Sequence, residues 1–163
     1  MACRIVCRIG QVSAHEFPIA GRRDPDYEVF MAQSPDVRWK QRFNNYRNAL
    51  KQFEEGVRAT LADRISQEGL IQRFEYTFEL AWKCLQDVLQ SRGYAEIRGP
   101  KPVIEQAFQD GLIADGLLWM EMLKARNEAA HLYDEAVFLR LYDQARHRFL
   151  APLQSLAEKL RTL

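Results

Sequence analysis

Residues 71–88 read IQRFEYTFELAWKCLQDV, and the spacing of their apolar side chains decides the fold. Apolar residues recur there at intervals of three and four: Ile71, Phe74, Phe78, Ala81, Leu85 and Val88. An α-helix has about 3.6 residues per turn, so these side chains form one apolar stripe along a helix. The helix is predicted to stop at Gly93, because glycine readily adopts the positive φ that ends many helices.

The segment before this helix repeats the same pattern. A first helix is predicted from Asp36, whose side chain can cap its start. Its apolar stripe has the same spacing: Trp39, Phe43, Tyr46, Leu50, Phe53 and Val57. The intervening residues 62–68 leave room only for a tight connection, which favours antiparallel neighbours.

Three further helices are predicted downstream. The third is short and lies between proline and glycine residues typical of helix starts and stops: Gly99, Pro100, Pro102, Asp110 and Gly111. A fourth covers residues 115–131, and a fifth covers residues 134–161 with a bend at Pro152. The predicted fold class is therefore all-α, an antiparallel four-helix up-and-down bundle over residues 35–163 with one short extra helix.

The composition limits the possible classes of protein. The 163 residues, 47% hydrophobic and 28% charged, have the proportions of one globular domain. No apolar run is long enough for a membrane span or a secretory signal, so we expect a soluble cytoplasmic protein. The net charge of +1 gives no overall attraction to nucleic acid, so any RNA contact is expected to be local. Cys3 and Cys7 lack further ligands at zinc-site spacing, so neither a metal nor a cofactor is expected, and Cys84 is expected in the core.

Residues 1–34 differ from the rest of the chain. Arginines are scattered among glycines and prolines there, without a sustained apolar period. We predict an irregular N-terminal extension. Two interpretations stay open: Met31 is the true start of the protein, or the segment is a mobile arm.

The predicted fourth helix has apolar residues on two sides. Its core stripe is predicted to contain Leu118, Met122, Ala125, Ala129 and Leu132. At about 100° per residue, Asn127 and His131 fall away from this stripe, with Trp119, Met120 and Leu123 nearby. A helix with two apolar sides needs two partners, and we predict that the second is another copy of the chain, with Ala130 allowing close approach.

Arg126 and His131 do not share a face of an ideal helix, because five residues rotate the side chain by roughly 140° from its starting direction. Arg126 and His131 of the same chain therefore do not readily form one site. Two helices that meet across a two-fold axis can instead form a composite site from residues of both chains. Arg126 has no carboxylate three or four residues away, so an ion-pair partner has to come from outside its helix. Tyr133 would share the side of Arg126 if the helix continued that far.

Each candidate also has a purely structural interpretation. His131 suits a helix C-terminus, and Tyr133 can pack over the turn before the fifth helix or remain open to modification. Glu79 and Lys83 can pair on a solvated face of the second helix. The alternative for that face is a partner surface that includes Glu75, Tyr76, Phe78 and Trp82.

Three segments together resemble a known family. RNEAAH at 126–131, followed by Tyr133, is similar to the R-polar-x3-H signature of the HEPN superfamily, here extended to R-x4-H-x-Y. RWKQRF at 38–43 and QRFEYTFELAWK at 72–83 resemble the nucleotidyltransferase substrate-binding protein family. The signature alone is common by chance, but its order with the other two segments on predicted helices is specific. The similarity covers about residues 36–160 and excludes the first 34.

The resemblance implies a bundle that forms a homodimer and binds a separately encoded minimal nucleotidyltransferase of the DNA polymerase β type, as in toxin-antitoxin pairs. It also implies metal-independent RNA cleavage, with Arg126 and His131 as catalytic residues, Asn127 as an orienting residue and Tyr133 as the tyrosine that the partner adenylylates. The alternatives are an interaction or substrate-binding subunit without ribonuclease activity, and a bundle with neither role. Neither the RNA substrate nor the modification of Tyr133 follows from the sequence.

Overall fold

The computed structural model describes residues 35–163 of the chain. The predicted extension and the Met31 start lie outside the described residues, as does the side chain of Asp36. The described part contains helices and no strand, which confirms the predicted all-α class. Its α-helices are α1 (Pro35–Arg58), α2 (Arg64–Ser91), α3 (Pro100–Gln109), α4 (Gly116–Glu128), α5 (Glu135–His147) and α6 (Leu150–Arg161).

Helix α2 lies at the centre of the core and contacts each of the other five described α-helices. Every residue of its predicted apolar stripe is buried. The Phe74 ring lies 6.1 Å from Phe53 of α1 and 4.7 Å from Phe149, and the Phe78 ring lies 5.8 Å from Trp119 of α4, between ring centroids. Burial of aromatic rings from several helices against one stripe explains why the spacing in α2 determines the fold.

The ends of α2 follow from two residues. Asp63 accepts a hydrogen bond from the backbone N–H of Ser66 at 2.9 Å, so α2 begins at Arg64, earlier than predicted. The hydroxyl and the backbone N–H of Ser66, by donating to the Asp63 carboxyl, also lower its pKa. At the other end Gly93 has φ +102°, and the N–H of Tyr94 donates to the carbonyl of Leu89, which confirms the predicted glycine stop.

The predicted fifth helix is two helices. The chain turns at Arg148 and Phe149, whose N–H groups both donate to the carbonyl of Gln144. Pro152 therefore does not bend a continuous helix; it lies in the first turn of α6, where its missing N–H leaves no bond unmade. The apolar period continues across the break, and the buried residues are Phe138, Leu141, Ala145, Phe149, Leu153, Leu156 and Leu160.

Two properties of the described residues bear on the function classes considered above. No described helix is both long enough and apolar enough to cross a membrane. Cys84 is buried in the core, as predicted, and burial raises the pKa of its thiol to about 12. Since the thiolate is the reactive form, Cys84 is a packing residue and not a nucleophile.

The first 30 residues are predicted to contribute little to the stability of the bundle. We expect their deletion to leave the helical content and the Tm nearly unchanged, because that segment carries no periodic apolar face. Circular dichroism and a thermal melt measure both quantities. A large decrease in Tm would show that the segment packs on the bundle.

Candidate functional site

The motif residues lie where α4 changes into a 3₁₀ turn. The α-helix ends at Glu128, and Ala129–His131 form the 3₁₀ turn, of which only Ala129 is buried. The ideal-helix angle between Arg126 and His131 therefore does not apply beyond residue 128. The side chains of the motif are exposed to solvent: Arg126, Asn127, His131 and Tyr133.

The side of α4 that faces the core includes one large residue, Trp119, that was not predicted there. Trp119, which was predicted beside the second apolar side, is 1% exposed and packs against Phe78. Burial of this large ring between α4 and α2 removes more apolar surface from water than a position at the edge of the stripe would. Met120 and Leu123 remain partly exposed, so the second apolar side is narrower than predicted. The predicted stripe residues are all at least partly buried: Leu118, Met122, Ala125, Ala129 and Leu132.

His131 and Tyr133 form a pair on the surface. The Nδ1 atom of His131 lies 3.2 Å from the hydroxyl oxygen of Tyr133, and the two rings meet edge to face with centroids 5.8 Å apart. Tyr133 is 85% exposed, so it does not pack over the turn. A tyrosine hydroxyl can donate to Nδ1 or accept from it, and in both cases Nε2 is the ring nitrogen left to exchange a proton with a substrate.

Arg126 is held by α2. Its Nη2 atom lies 3.5 Å from Oε2 of Glu79, and its Nη1 atom donates to Oδ1 of Asn127 at 3.4 Å. The ion-pair partner thus comes from another helix, as the sequence predicted. Partial burial opposes ionisation of Glu79, but hydrogen bonds from Trp82 and Lys83 and the charges of Lys83 and Arg126 lower its pKa overall. Glu79 therefore stays ionised at neutral pH and keeps Arg126 on the α2 side.

Glu75 of α2 is a second carboxylate that interacts electrostatically with Arg126. Partial burial raises the pKa of Glu75, and the positive charge of Arg126 acts in the opposite direction. Sequence reasoning placed Glu75, Glu79 and Lys83 on one face of α2 but did not connect this face with Arg126. The signal in the sequence was that Arg126 has no carboxylate three or four residues away on α4, which left a partner on another helix as the alternative. The predicted pair of Glu79 and Lys83 is present, with Nζ and Oε1 2.9 Å apart.

The structure brings the candidates together as two pairs. Arg126 contacts Asn127, and His131 contacts Tyr133. Within residues 35–163 no hydrogen bond or ion pair joins one pair to the other, and no group of three metal-ligand side chains occurs. His147 binds Asp143 on its own helix, away from the motif, and His15 lies outside the described residues. Each chain thus presents an exposed imidazole and an exposed guanidinium within residues 126–131, with no described bond between them.

A helical bundle with an exposed R-x4-H-x-Y segment at the end of its fourth helix defines a HEPN-like protein. The family model described as "nucleotidyltransferase substrate binding protein like" matches residues 41–162. The chain belongs to this family, and the match includes all helices of the bundle from α2 onward and most of α1.

Known proteins similar to this chain support the same assignment. A Haemophilus influenzae protein described as "Probable ribonuclease HepT" is 32% identical over 97 residues, which are 57% of this chain and 66% of that relative. A crystal structure from Thermus thermophilus matches with a TM-score of 0.63 and 28% identity, over 71% of this chain and 98% of the other. A Haemophilus influenzae structure, described as the fold of a substrate binding domain of a nucleotidyltransferase, matches with a TM-score of 0.57 and 26% identity, over 78% and 99%.

Proposed function

We propose that this protein is the HEPN-type subunit of a two-component nucleotidyltransferase system, that it acts as a homodimer, and that it cleaves RNA without a metal ion. The observation that carries the proposal is the exposed His131–Tyr133 pair, with Nε2 of the imidazole unengaged by described residues and Arg126 on the same surface segment. The contact of Nδ1 with the Tyr133 hydroxyl leaves Nε2 as the ring nitrogen that can meet a substrate. The description of one relative as a probable ribonuclease supports the same activity.

The proposed reaction is transfer of a phosphodiester to the adjacent ribose 2′-oxygen. Nε2 of one His131 takes the proton from the 2′-OH, the 2′-oxygen attacks phosphorus, and the bond to the 5′-oxygen breaks. The His131 of the second copy gives a proton to that leaving oxygen. Arg126 stabilises the additional negative charge on the phosphorane-like transition state, and Asn127 orients the phosphate. The products are a 2′,3′-cyclic phosphate and a free 5′-OH.

The proposed dimer places two motif segments at one seam. Its support is that no described hydrogen bond or ion pair joins Arg126 to His131 within one chain, and that Met120 and Leu123 of α4 are only partly buried. Ala130 is small and exposed at this position, so it allows close approach of two backbones.

We expect Ala130→Glu to convert the dimer into a monomer, because two copies of the new carboxylate would face each other in the seam. Sedimentation velocity measures the change. Ala151→Glu is the matched control, since Ala151 is an exposed alanine on α6, and it should leave the dimer intact. An unchanged dimer in the Ala130→Glu variant would place the interface elsewhere.

We further propose that the partner is a minimal nucleotidyltransferase that acts as an antitoxin on its toxin. It transfers AMP from ATP to the Tyr133 hydroxyl, and pyrophosphate leaves as the α–β phosphoanhydride bond breaks. The high exposure of Tyr133 makes its hydroxyl accessible to a second enzyme. Because the same hydroxyl binds Nδ1 of His131, a bulky adenylate there would disturb the proposed base directly.

We expect Tyr133→Phe to retain RNA cleavage within about tenfold, since the hydroxyl orients His131 but takes no proton in the reaction. The variant should gain no adenylate mass on incubation with the nucleotidyltransferase and ATP, whereas the wild type should. Intact-protein mass spectrometry measures this difference. Tyr94→Phe is the control, because Tyr94 is exposed but distant in sequence from the motif. An equal mass gain in Tyr133→Phe would assign the modification to another residue.

The second candidate function is a non-catalytic interaction or substrate-binding subunit. The α2 face favours it, because charged and aromatic side chains stay partly exposed there: Glu75, Tyr76, Glu79, Trp82 and Lys83. Phe78, which was predicted as part of this surface, is instead buried in the core. The two candidates differ in one measurement. A wild-type protein that binds the nucleotidyltransferase but leaves RNA intact supports the second function and excludes the first.

A further inference from the structure

The side chain of Arg64, the first residue of α2, makes a larger number of hydrogen bonds and ring contacts than the side chain of any motif residue. Its Nε atom donates to Glu68 at 2.7 Å, Nη1 donates to Glu135 at 2.6 Å, and Nη2 donates to the carbonyl oxygen of Leu132 at 2.8 Å. The guanidinium carbon also lies 3.3 Å above the ring of Phe138 in α5. One side chain therefore joins the start of α2 to the turn before α5 and to α5 itself.

The bond to Leu132 concerns the motif directly, because Leu132 is the residue between His131 and Tyr133. The orientation of its carbonyl fixes the peptide plane from which the Tyr133 side chain departs. On the other side, the N–H of Asp134 donates to the carbonyl of His131 at 3.0 Å, which closes the turn. That second bond is local, whereas the bond from Arg64 joins this turn to α2.

We propose that Arg64 is a positioning residue for the His131–Tyr133 pair. The expected effect of Arg64 on cleavage rests on the proposed function. The expected effect of Arg64 on the geometry of the His131–Tyr133 pair does not depend on RNA. The planar guanidinium holds Leu132, Glu135 and Phe138 at once, and this keeps the Tyr133 hydroxyl at hydrogen-bond distance from Nδ1 of His131. Lysine carries the same charge but has a single ammonium group in place of the planar guanidinium with its several N–H donors. It therefore cannot bind Glu68, Glu135 and the Leu132 carbonyl at the same time.

The test is Arg64→Lys, compared with Arg161→Lys. Arg161 also makes two hydrogen bonds to a glutamate, Glu158, but lies at the end of α6 and is the matched control. Two quantities are measured well below the Tm of each variant: the NMR signals of the His131 ring nitrogens, assigned by their loss in His131→Ala, and the RNA cleavage rate at saturating RNA together with KM. A role in stability alone would lower the Tm without changing the His131 signals.

We expect Arg64→Lys to shift the His131 nitrogen signals towards those of Tyr133→Phe and to lower kcat by no more than about tenfold, the limit expected for Tyr133→Phe, with KM nearly unchanged. Arg161→Lys should change neither. If Arg64→Lys does not fold, Glu135→Gln, which removes the charge that supports Nη1, should change both quantities in the same direction by less.

Unchanged His131 signals in both variants would overturn the proposal. If the wild type does not cleave RNA but Arg64→Lys still shifts the His131 signals, Arg64 positions the pair and the ribonuclease function fails. The two failures are thus distinguished by the NMR measurement, which needs neither RNA nor the partner protein.

Discussion

We expect His131→Ala to lower the rate of RNA cleavage by at least roughly 100-fold and by as much as about 10,000-fold, the range of general acid-base catalysis. In the proposed dimer the substitution removes the base from one copy and the acid from the other, so both proton transfers are lost. The fold should survive, because the His131 side chain is exposed and its one described hydrogen-bond partner is the exposed Tyr133, while the backbone bond from Asp134 does not depend on the imidazole. Initial rates on a fluorescent RNA, with circular dichroism of the same samples, measure both quantities.

The matched control is His147→Ala. His147 is also an exposed histidine with a side-chain partner, Asp143 at 3.0 Å, and it lies outside the motif. Its loss should leave the rate within about a factor of two, because it removes no group from the proposed reaction. Equal rates for wild type and His131→Ala would exclude His131 from the reaction.

Arg126→Ala belongs to the same prediction and should lower the rate similarly, through lost stabilisation of the transition-state charge. Arg148→Ala is its control, because Arg148 has a similar exposure and also pairs with a glutamate, Glu121, at 2.9 Å. A comparable loss in both arginine variants would indicate a general effect of positive charge on RNA binding and not a role of the motif.

The second large effect is expected on stability. Trp119→Ala should decrease the free energy of unfolding by about 3–5 kcal/mol, the range for removal of a large aromatic side chain from a core. Trp119 is 1% exposed, and its ring lies 5.8 Å from that of Phe78 at the contact between α4 and α2. Urea denaturation followed by circular dichroism measures the change.

Leu117→Ala is the control for this prediction, since Leu117 lies two residues away on the same helix and is 81% exposed. Surface substitutions of this kind change stability by about 0.5 kcal/mol or less. A Trp119→Ala variant as stable as Leu117→Ala would mean that Trp119 lies on the second apolar side of α4, as the sequence first suggested.

The sequence predicted the helical class and the stripe of α2 because both depend on local periodicity. The apolar period of α2 predicts that each stripe residue is buried, whichever helices cover the stripe, and all of them are buried. This prediction therefore needed no knowledge of the other helices. Gly93 and Gly111 were recognisable as helix stops for the same reason, as positive φ is a property of the residue and its nearest neighbours.

The break between α5 and α6 and the burial of Trp119 were not predictable in this way. Proline is compatible both with a kink and with a first helical turn, and only the hydrogen bonds of Arg148 and Phe149 to Gln144 decide between them. Trp119 lies one position from the chosen stripe, and the space available beside Phe78 decides which side receives the larger ring.

The candidate site was predicted as a set of exposed residues but not as pairs. The contact of His131 with Tyr133 depends on the end of the α-helix at Glu128, which a continuous helical pattern did not reveal. Glu79 and Arg64 reach Arg126 and Leu132 from α2, far away in sequence, and such contacts follow only from the packing of helices.

The chemistry of the RNA ends released by the purified protein in excess EDTA tests the central claim most directly. The proposed mechanism uses His131, Arg126, Asn127 and the ribose 2′-OH and needs no metal ion, so it predicts fragments with a 2′,3′-cyclic phosphate and a 5′-OH at a rate unaffected by EDTA. Mass spectrometry of the fragments identifies these ends. Cleavage that stops in EDTA, fragments with a 3′-OH end, or an intact RNA after incubation with dimeric wild-type protein would contradict it.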